Sequence, residues 1–495
     1  MATTGKHVTD AFRYGRAFAA ASLLALVTFA WMVTAGNFDF GRRIPFGGDF
    51  YDAQAHSLLA GHWEMPASVL RLEGFRHAGH LYMYFGPAPA LLRLPTAAFT
   101  HSLDGRTGRV AMLLAFTVAM VALGRLGWRI RRLARGDAPL ERREELIAGV
   151  SALVLAVGSS LLFLGSGPFV YHEALMWGVA FSLAAFDALL AWIEQPNGRV
   201  LAVASLLTLL ALTSRFAVGI GPAAVLGFLL LGAGVARLRR GSAAFARLGL
   251  DLRDVRWRTV AGIGVALLIP LGVYAIVNMI KFGTLFSVPY DTQVASSILA
   301  ERPATLAANN GSLFNVKAMA TNLLAYTRPD SISFDSSFPW IALPTTRPTV
   351  LGNLRYDMLD FTPSVVATMP ALFALAVGGL VAIVRAPVRA ATATLRSLSL
   401  PILGAACGVV PTLVIVYITP RYLADFVPLL VLPAFAGLHA LVAWSTTDAG
   451  RRPVTKLVVA ALLVLGVWSC LANVGIAREY QRQHDASFFA RGTNR

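Results

Sequence analysis

Long, uninterrupted apolar runs recur along the whole chain and leave it few architectures. Of its 495 residues, 56% are hydrophobic and only 14% are charged. A soluble domain carries roughly 25% charged residues. About 20 consecutive apolar residues cross a bilayer as a helix, with every backbone group paired inside the segment. A membrane β-barrel would alternate apolar and polar residues, and these runs are continuous. The expected fold is therefore all-α, a polytopic transmembrane bundle with external juxtamembrane helices. Eleven spans are expected, near 17–35, 107–128, 146–164, 173–193, 200–214, 216–236, 259–280, 365–384, 399–418, 427–445 and 457–475.

The net charge of +17 is carried largely by arginines in short loops between apolar runs, at 129–143, 237–258, 385–396 and 451–456. Such loops set topology and belong on the cytoplasmic side, which argues against nucleic acid as a partner. The first run follows Lys6, Arg13 and Arg16, is long for a signal peptide, and reads as an uncleaved anchor with a cytoplasmic N-terminus. Residues 86–103 carry three prolines and an arginine and read as interfacial or re-entrant, since a crossing would put the 129–143 loop outside. The external face then receives 37–106, 165–172, 213–215, 281–364 and 419–422. The chain divides into an N-terminal transmembrane module (1–280) containing the first external loop (37–106), an external cap (281–364), C-terminal transmembrane helices (365–475) and a tail (476–495). Cys407 and Cys470 lie inside apolar runs, so no disulfide framework or cysteine metal cluster is expected. The Ala/Arg-rich composition reads as bacterial, with the protein in the inner membrane and its Asn310-Gly311-Ser312 sequon accidental.

Acids are scarce, 26 in all, yet Asp49 and Asp52 stand together at the start of the first external loop. With His56 they occupy i, i+3 and i+7, one face of a helix over 49–60. Carboxylates beside an imidazole can act as a base or hold a divalent cation, and Asp49 also suits a helix N-cap. His172 and Glu173 open a span on the outer side, where an acid is favoured by the helix dipole. Arg215 separates two apolar stretches, and an arginine deep in a span costs roughly 2.5–3.5 kcal/mol. At an external break it points toward the loops, as a snorkelling residue or as a phosphate ligand. Arg421, beside Tyr422, has the same two readings. Lys281, Arg42 and Arg43 read as interfacial charges. Asp187, deeper in its span, is expected to pair with an arginine of a neighbouring helix.

The stretch Gly48-Asp49-Phe50-Tyr51-Asp52, followed by Ala53, Ala55 and Leu58-Leu59-Ala60-Gly61, resembles the first external loop of the GT-C glycosyltransferases. Tyr82-Met83-Tyr84-Phe85-Gly86-Pro87 is similar to that family's aromatic and proline segment. Gly167 through Glu173 is similar to its second acidic motif, and Thr213-Ser214-Arg215 and Arg421-Tyr422 to its later arginine positions. The resemblance extends to the protein O-mannosyltransferase and aminoarabinose transferase branch. The chain lacks the Asp-Glu pair of the mannosyltransferases and the large soluble C-terminal domain of the oligosaccharyltransferases. The resemblance implies inverting transfer of a monosaccharide, hexosyl or pentosyl, from a polyprenyl-phosphate donor. The acceptor would be a glycan, lipid or protein at the outer face, in the course of cell-envelope assembly. Asp49 would be the general base and Asp52 its reserve. His56, Tyr82, Tyr84, His172, Glu173, Arg215, Arg421 and Tyr422 would bind substrate, with room left for Mg or Mn. The alternative is a polytopic transporter or lipid flippase for an envelope precursor.

Overall fold

The computed structural model describes residues 2–45, 47–239, 248, 255–387, 394–446 and 453–492. Among these, eight helices are long and apolar enough to cross a membrane, which makes this a multi-pass membrane protein. They are Val8–Val33, Gly108–Arg135, Val170–Glu194, Phe216–Leu238, Trp257–Phe282, Leu395–Val414, Pro420–Ser445 and Pro453–Gln483. The three other expected spans coincide with shorter helices, Arg142–Val157, Gly198–Leu212 and Pro370–Arg385. The all-α expectation holds, and the few strands are two- to four-residue ribbons.

Several boundaries differ from the sequence reading. The run at 146–164 breaks at Gly158, and the chain re-enters a helix at Ser160–Leu164 because the Ser159 hydroxyl accepts from the Leu161 amide. The run at 365–384 breaks at Met369, which precedes a proline and leaves the helical region. The run at 399–418 ends at Val414, and Tyr417–Ile418 instead pairs in parallel with Met358–Leu359. The last helix continues past the expected span to Gly492. Residues 86–103 form two four-residue helices, Ala88–Leu91 and Leu94–Ala97, each with an early proline and neither long enough to cross.

The basic loop at 129–143 is a tight turn held by charge. Gly136 ends one helix at φ +55°, and Glu141 and Glu144 form a capping box that starts the next. Buried Arg131 meets Glu144 at 2.9 Å and donates to the carbonyls of Ala138 and Pro139. Asp187 pairs as expected, with Arg125 at 2.7 Å and Arg129 at 2.8 Å on the neighbouring helix. The basic loop at 237–258 lies largely outside the described residues, and those at 385–396 and 451–456 lie partly outside them.

The Val170–Glu194 helix is the hub of the bundle, with 89% of its apolar window buried. It is apolar all round and packs against Gly108–Arg135, Gly198–Leu212 and Phe216–Arg239, as such a helix must. Its N-terminal turn carries the residues described next.

Candidate functional site

The first external loop folds back onto the start of this central helix. Val170 donates its amide to the Gly47 carbonyl at 3.0 Å, anchoring the turn that ends at Asp49. The Phe50–Leu59 helix begins immediately, with Asp49 in the N-cap position, but its side chain makes no capping bond. The Asp49 carboxylate is half-buried and has no hydrogen-bond or ion-pair partner among the described residues. Asp52, one turn on, is buried and fully engaged. It accepts from Arg93 at 3.0 Å, from the Gly105 amide at 2.8 Å and from the Thr107 hydroxyl at 2.7 Å.

Arg93 holds a second acid with its other terminal nitrogen, meeting both oxygens of Glu173 at 2.8 and 2.6 Å. Its side chain is only 5% exposed, so burial alone would pull its proton affinity down. Glu173 and then Asp52 outweigh that and raise it above the ordinary guanidinium value. The Arg93 guanidinium lies over the Tyr51 ring at 5.5 Å, and the Tyr51 hydroxyl is buried without a partner among the described residues. Burial, reinforced by Glu173, raises the Tyr51 phenol well above its usual range, while Arg93 and Arg215 pull the other way. Tyr51 therefore stands in the field of both arginines. Gln54 lies one turn along the same helix, and neither its amide oxygen nor its nitrogen has a partner among the described residues.

Successive residues of a helix project about 100° apart. Tyr171, His172 and Glu173 accordingly meet three environments. Glu173 faces Arg93. His172 is buried among Phe163, Phe169 and Tyr480 and meets the Leu164 carbonyl at 3.0 Å, inside the packing. Tyr171 faces Arg421, whose guanidinium lies 4.8 Å above its ring.

Arg421 lies among three tyrosines, Tyr171, Tyr417 and Tyr422, and donates to the Thr419 and Tyr417 hydroxyls. Among the described residues no carboxylate comes within 4.0 Å of it. Arg215 shares the Tyr422 ring, with its guanidinium 4.8 Å from the centroid. Unlike Arg421 it is paired, with Asp425 at 3.0 Å, and Asp425 also accepts from Thr412 at 2.6 Å. A glycine makes room for it: a Cβ on Gly178 would lie 2.5 Å from that of Arg215. Gly86 serves similarly, since a Cβ there would sit 2.0 Å from the Thr213 carbonyl. The aromatic segment 82–87 can thus dock on the break at 213–215.

Tyr84, Arg215, Asn278 and Lys281 line a narrow cavity of about 40 Å³. Lys281 corrects the sequence reading: it is 1% exposed rather than interfacial, and donates to the Phe85 carbonyl at 2.6 Å. Tyr82 packs instead with Phe75 and Phe282 on the hairpin formed by Gly74–His77 and His80–Met83. A larger groove of about 810 Å³ runs from Arg93, Arg106 and Thr107 along Leu92, Val110 and Leu114, reaching exposed apolar side chains of the Gly108–Arg135 helix.

His56 does not join the two aspartates. It meets Asp104 at 3.0 Å, and His101 meets the other oxygen of Asp104 at 3.1 Å, a cluster whose donors could hold a metal ion. Sequence reading missed Arg93, Asp104, Thr107 and Asp425. Two of these carried a signal: Arg93 interrupts Ala-Leu-Leu-Arg-Leu-Pro, and Asp425 is a lone acid at the mouth of an apolar run.

The architecture is similar to the crystal structure of the apo oligosaccharyltransferase of Archaeoglobus fulgidus. The two align over 94% of this chain and 56% of that one, at 13% identity and a TM-score of 0.51. The fold is like that of an archaeal oligosaccharyltransferase. The oligosaccharyltransferase AglB of the same organism, in complex with an inhibitory peptide and a dolichol-phosphate, matches at 11% identity and a TM-score of 0.48 over the same shares. The chain therefore spans little more than half the length of the proteins it resembles, and at this identity the likeness carries the fold alone. No protein-family model and no curated protein matches the sequence.

Proposed function

We propose that this protein is an integral-membrane glycosyltransferase of the GT-C type, transferring a monosaccharide from a polyprenyl-phosphate donor to an acceptor at the outer face. The observation that carries the reading is a free carboxylate and an unneutralised guanidinium whose elements both rest on the first turn of one helix. The Asp49 turn rests on Val170 and Arg421 rests on Tyr171, at the same helix terminus. A half-buried arginine without an acid is an anion site in waiting, and a phosphate matches its planar fork.

In this mechanism Asp49 accepts the proton of the acceptor hydroxyl as its oxygen attacks the anomeric carbon. The bond from that carbon to the phosphate oxygen breaks on the opposite face, so the configuration inverts. The electron pair leaves with the polyprenyl phosphate, whose charge Arg421 holds, with Arg215 against the same Tyr422 ring. Asp52 is the poorer base, because three donors already satisfy it. It fixes the helix that presents Asp49. Tyr51 and Gln54 offer unspent hydrogen bonds to sugar hydroxyls. The groove below Arg93 offers an apolar path for an isoprenoid tail.

Mg or Mn does not fit the buried acid pair as it stands, because Arg93 already bridges Asp52 and Glu173. No step is therefore routed through a cation. The test is incubation of purified protein with radiolabelled polyprenyl-phosphate sugar and a mixed glycan and lipid acceptor pool. Transfer or slow hydrolysis supports the enzyme. Translocation in vesicles without either would support a flippase instead.

A further inference from the structure

Helical spacing places His56 one turn beyond Asp52 on the Phe50–Leu59 helix. There it meets the loop that leads into the Gly108–Arg135 helix. One ligand atom each from His56, His101 and Asp104 lies within 4.8 Å of the others. The imidazoles stack at 3.8 Å, and each faces a different oxygen of the same carboxylate. The cluster joins two separate elements, since His56 and Asp104 are 48 positions apart in sequence.

The donor set selects the ion. Two imidazole nitrogens and one carboxylate oxygen suit zinc and its neighbours, whereas magnesium favours oxygen ligands and retained waters. Three protein ligands leave a fourth position for water, and the His101 side chain, 78% exposed, leaves that side open.

We propose that His56, His101 and Asp104 bind one divalent transition-metal ion of the zinc class, which clasps the 101–107 loop to the helix carrying Asp52. The loop then presents its next residues in fixed positions: the Gly105 amide and the Thr107 hydroxyl, at 2.8 and 2.7 Å from Asp52. These three are positioning residues, and metal uptake is read without any sugar donor, so the proposal stands apart from the transfer reaction.

The experiment uses full-length protein in detergent, without a histidine tag and stripped by a chelator, titrated with zinc chloride, then with magnesium and manganese chlorides. One zinc per chain is expected, bound at least tenfold more tightly than magnesium or manganese. His101→Ala and His56→Ala should each weaken it by more than the roughly 10–100-fold that follows loss of an outer-shell partner. Because His101 is exposed, its variant should melt like the metal-free wild type, which separates lost binding from lost folding. Zinc should also slow hydrogen exchange across 101–107 in the wild type and not in His101→Ala. Absence of stoichiometric zinc, equal affinity for magnesium, or unchanged affinity in both variants would overturn the site. Uptake with unchanged exchange would overturn the clasp.

Discussion

At the scale of single residues, the site is a division of labour between charges that are satisfied and charges that are not. Arg93 is the satisfied kind, its cation shared by two buried acids. Arg93→Ala would leave both acids buried without a counter-charge, and breaking such a network costs about 3–5 kcal/mol. We expect a clear loss of melting temperature in detergent, and little loss in Arg93→Lys would contradict a bridge that needs two nitrogens. Arg421 is the unsatisfied kind. Its replacement by alanine removes two hydroxyl hydrogen bonds, about 1–3 kcal/mol of stability, and should weaken donor binding roughly ten- to hundredfold, the value of a charge-assisted hydrogen bond. Donor titration followed by tryptophan fluorescence would read this, and unaltered affinity would remove Arg421 from the phosphate site. The residues that the sequence singles out are those made conspicuous by rarity, such as Asp49, Asp52 and Arg215. Arg93 was visible, but its acids are 41 and 80 positions away, and no local pattern records such a distance.

At the scale of elements, the helices follow from apolar length, whereas their junctions follow from packing. The Pro370–Arg385 and Val427–Ser445 helices cross almost in backbone contact. A Cβ on Gly379 would sit 1.7 Å from the Pro433 carbonyl, and one on Gly437 would sit 2.1 Å from the Leu375 carbonyl. Small residues at such crossings let membrane helices approach closely. Gly379→Ala should force the pair apart at a cost of about 1–3 kcal/mol, whereas its neighbour Gly378, with nothing within 4 Å, should accept alanine freely. Comparing the two melting curves checks this. Composition could not reveal the crossing, because both glycines sit in runs that read simply as apolar. Nor could it reveal that 146–164 breaks at Gly158, where one serine hydroxyl outweighs the run's continuity.

For the whole molecule, the eight long apolar helices among the described residues each fall on an apolar run legible in the sequence, whereas the enclosure of Val170–Glu194 was not legible there; the likeness to an oligosaccharyltransferase fold agrees with an all-α bundle. Orientation rests on the arginine loops. After Cys407 and Cys470 are replaced by alanine, Ser68→Cys in the first loop should react with a membrane-impermeant thiol reagent from outside. Arg142→Cys should react only once the membrane is permeabilised. The reverse pattern would invert the topology and place Asp49 among nucleotide sugars. With the acid outside, a lipid-linked sugar is the activated donor at hand. The most direct measurement is therefore transfer of label from polyprenyl-phosphate sugar by purified wild type and Asp49→Ala at equal amounts of folded protein. Loss of at least a hundredfold in turnover, with donor binding retained, is the result expected of a missing general base. Near-normal turnover in Asp49→Ala would contradict the mechanism at its centre.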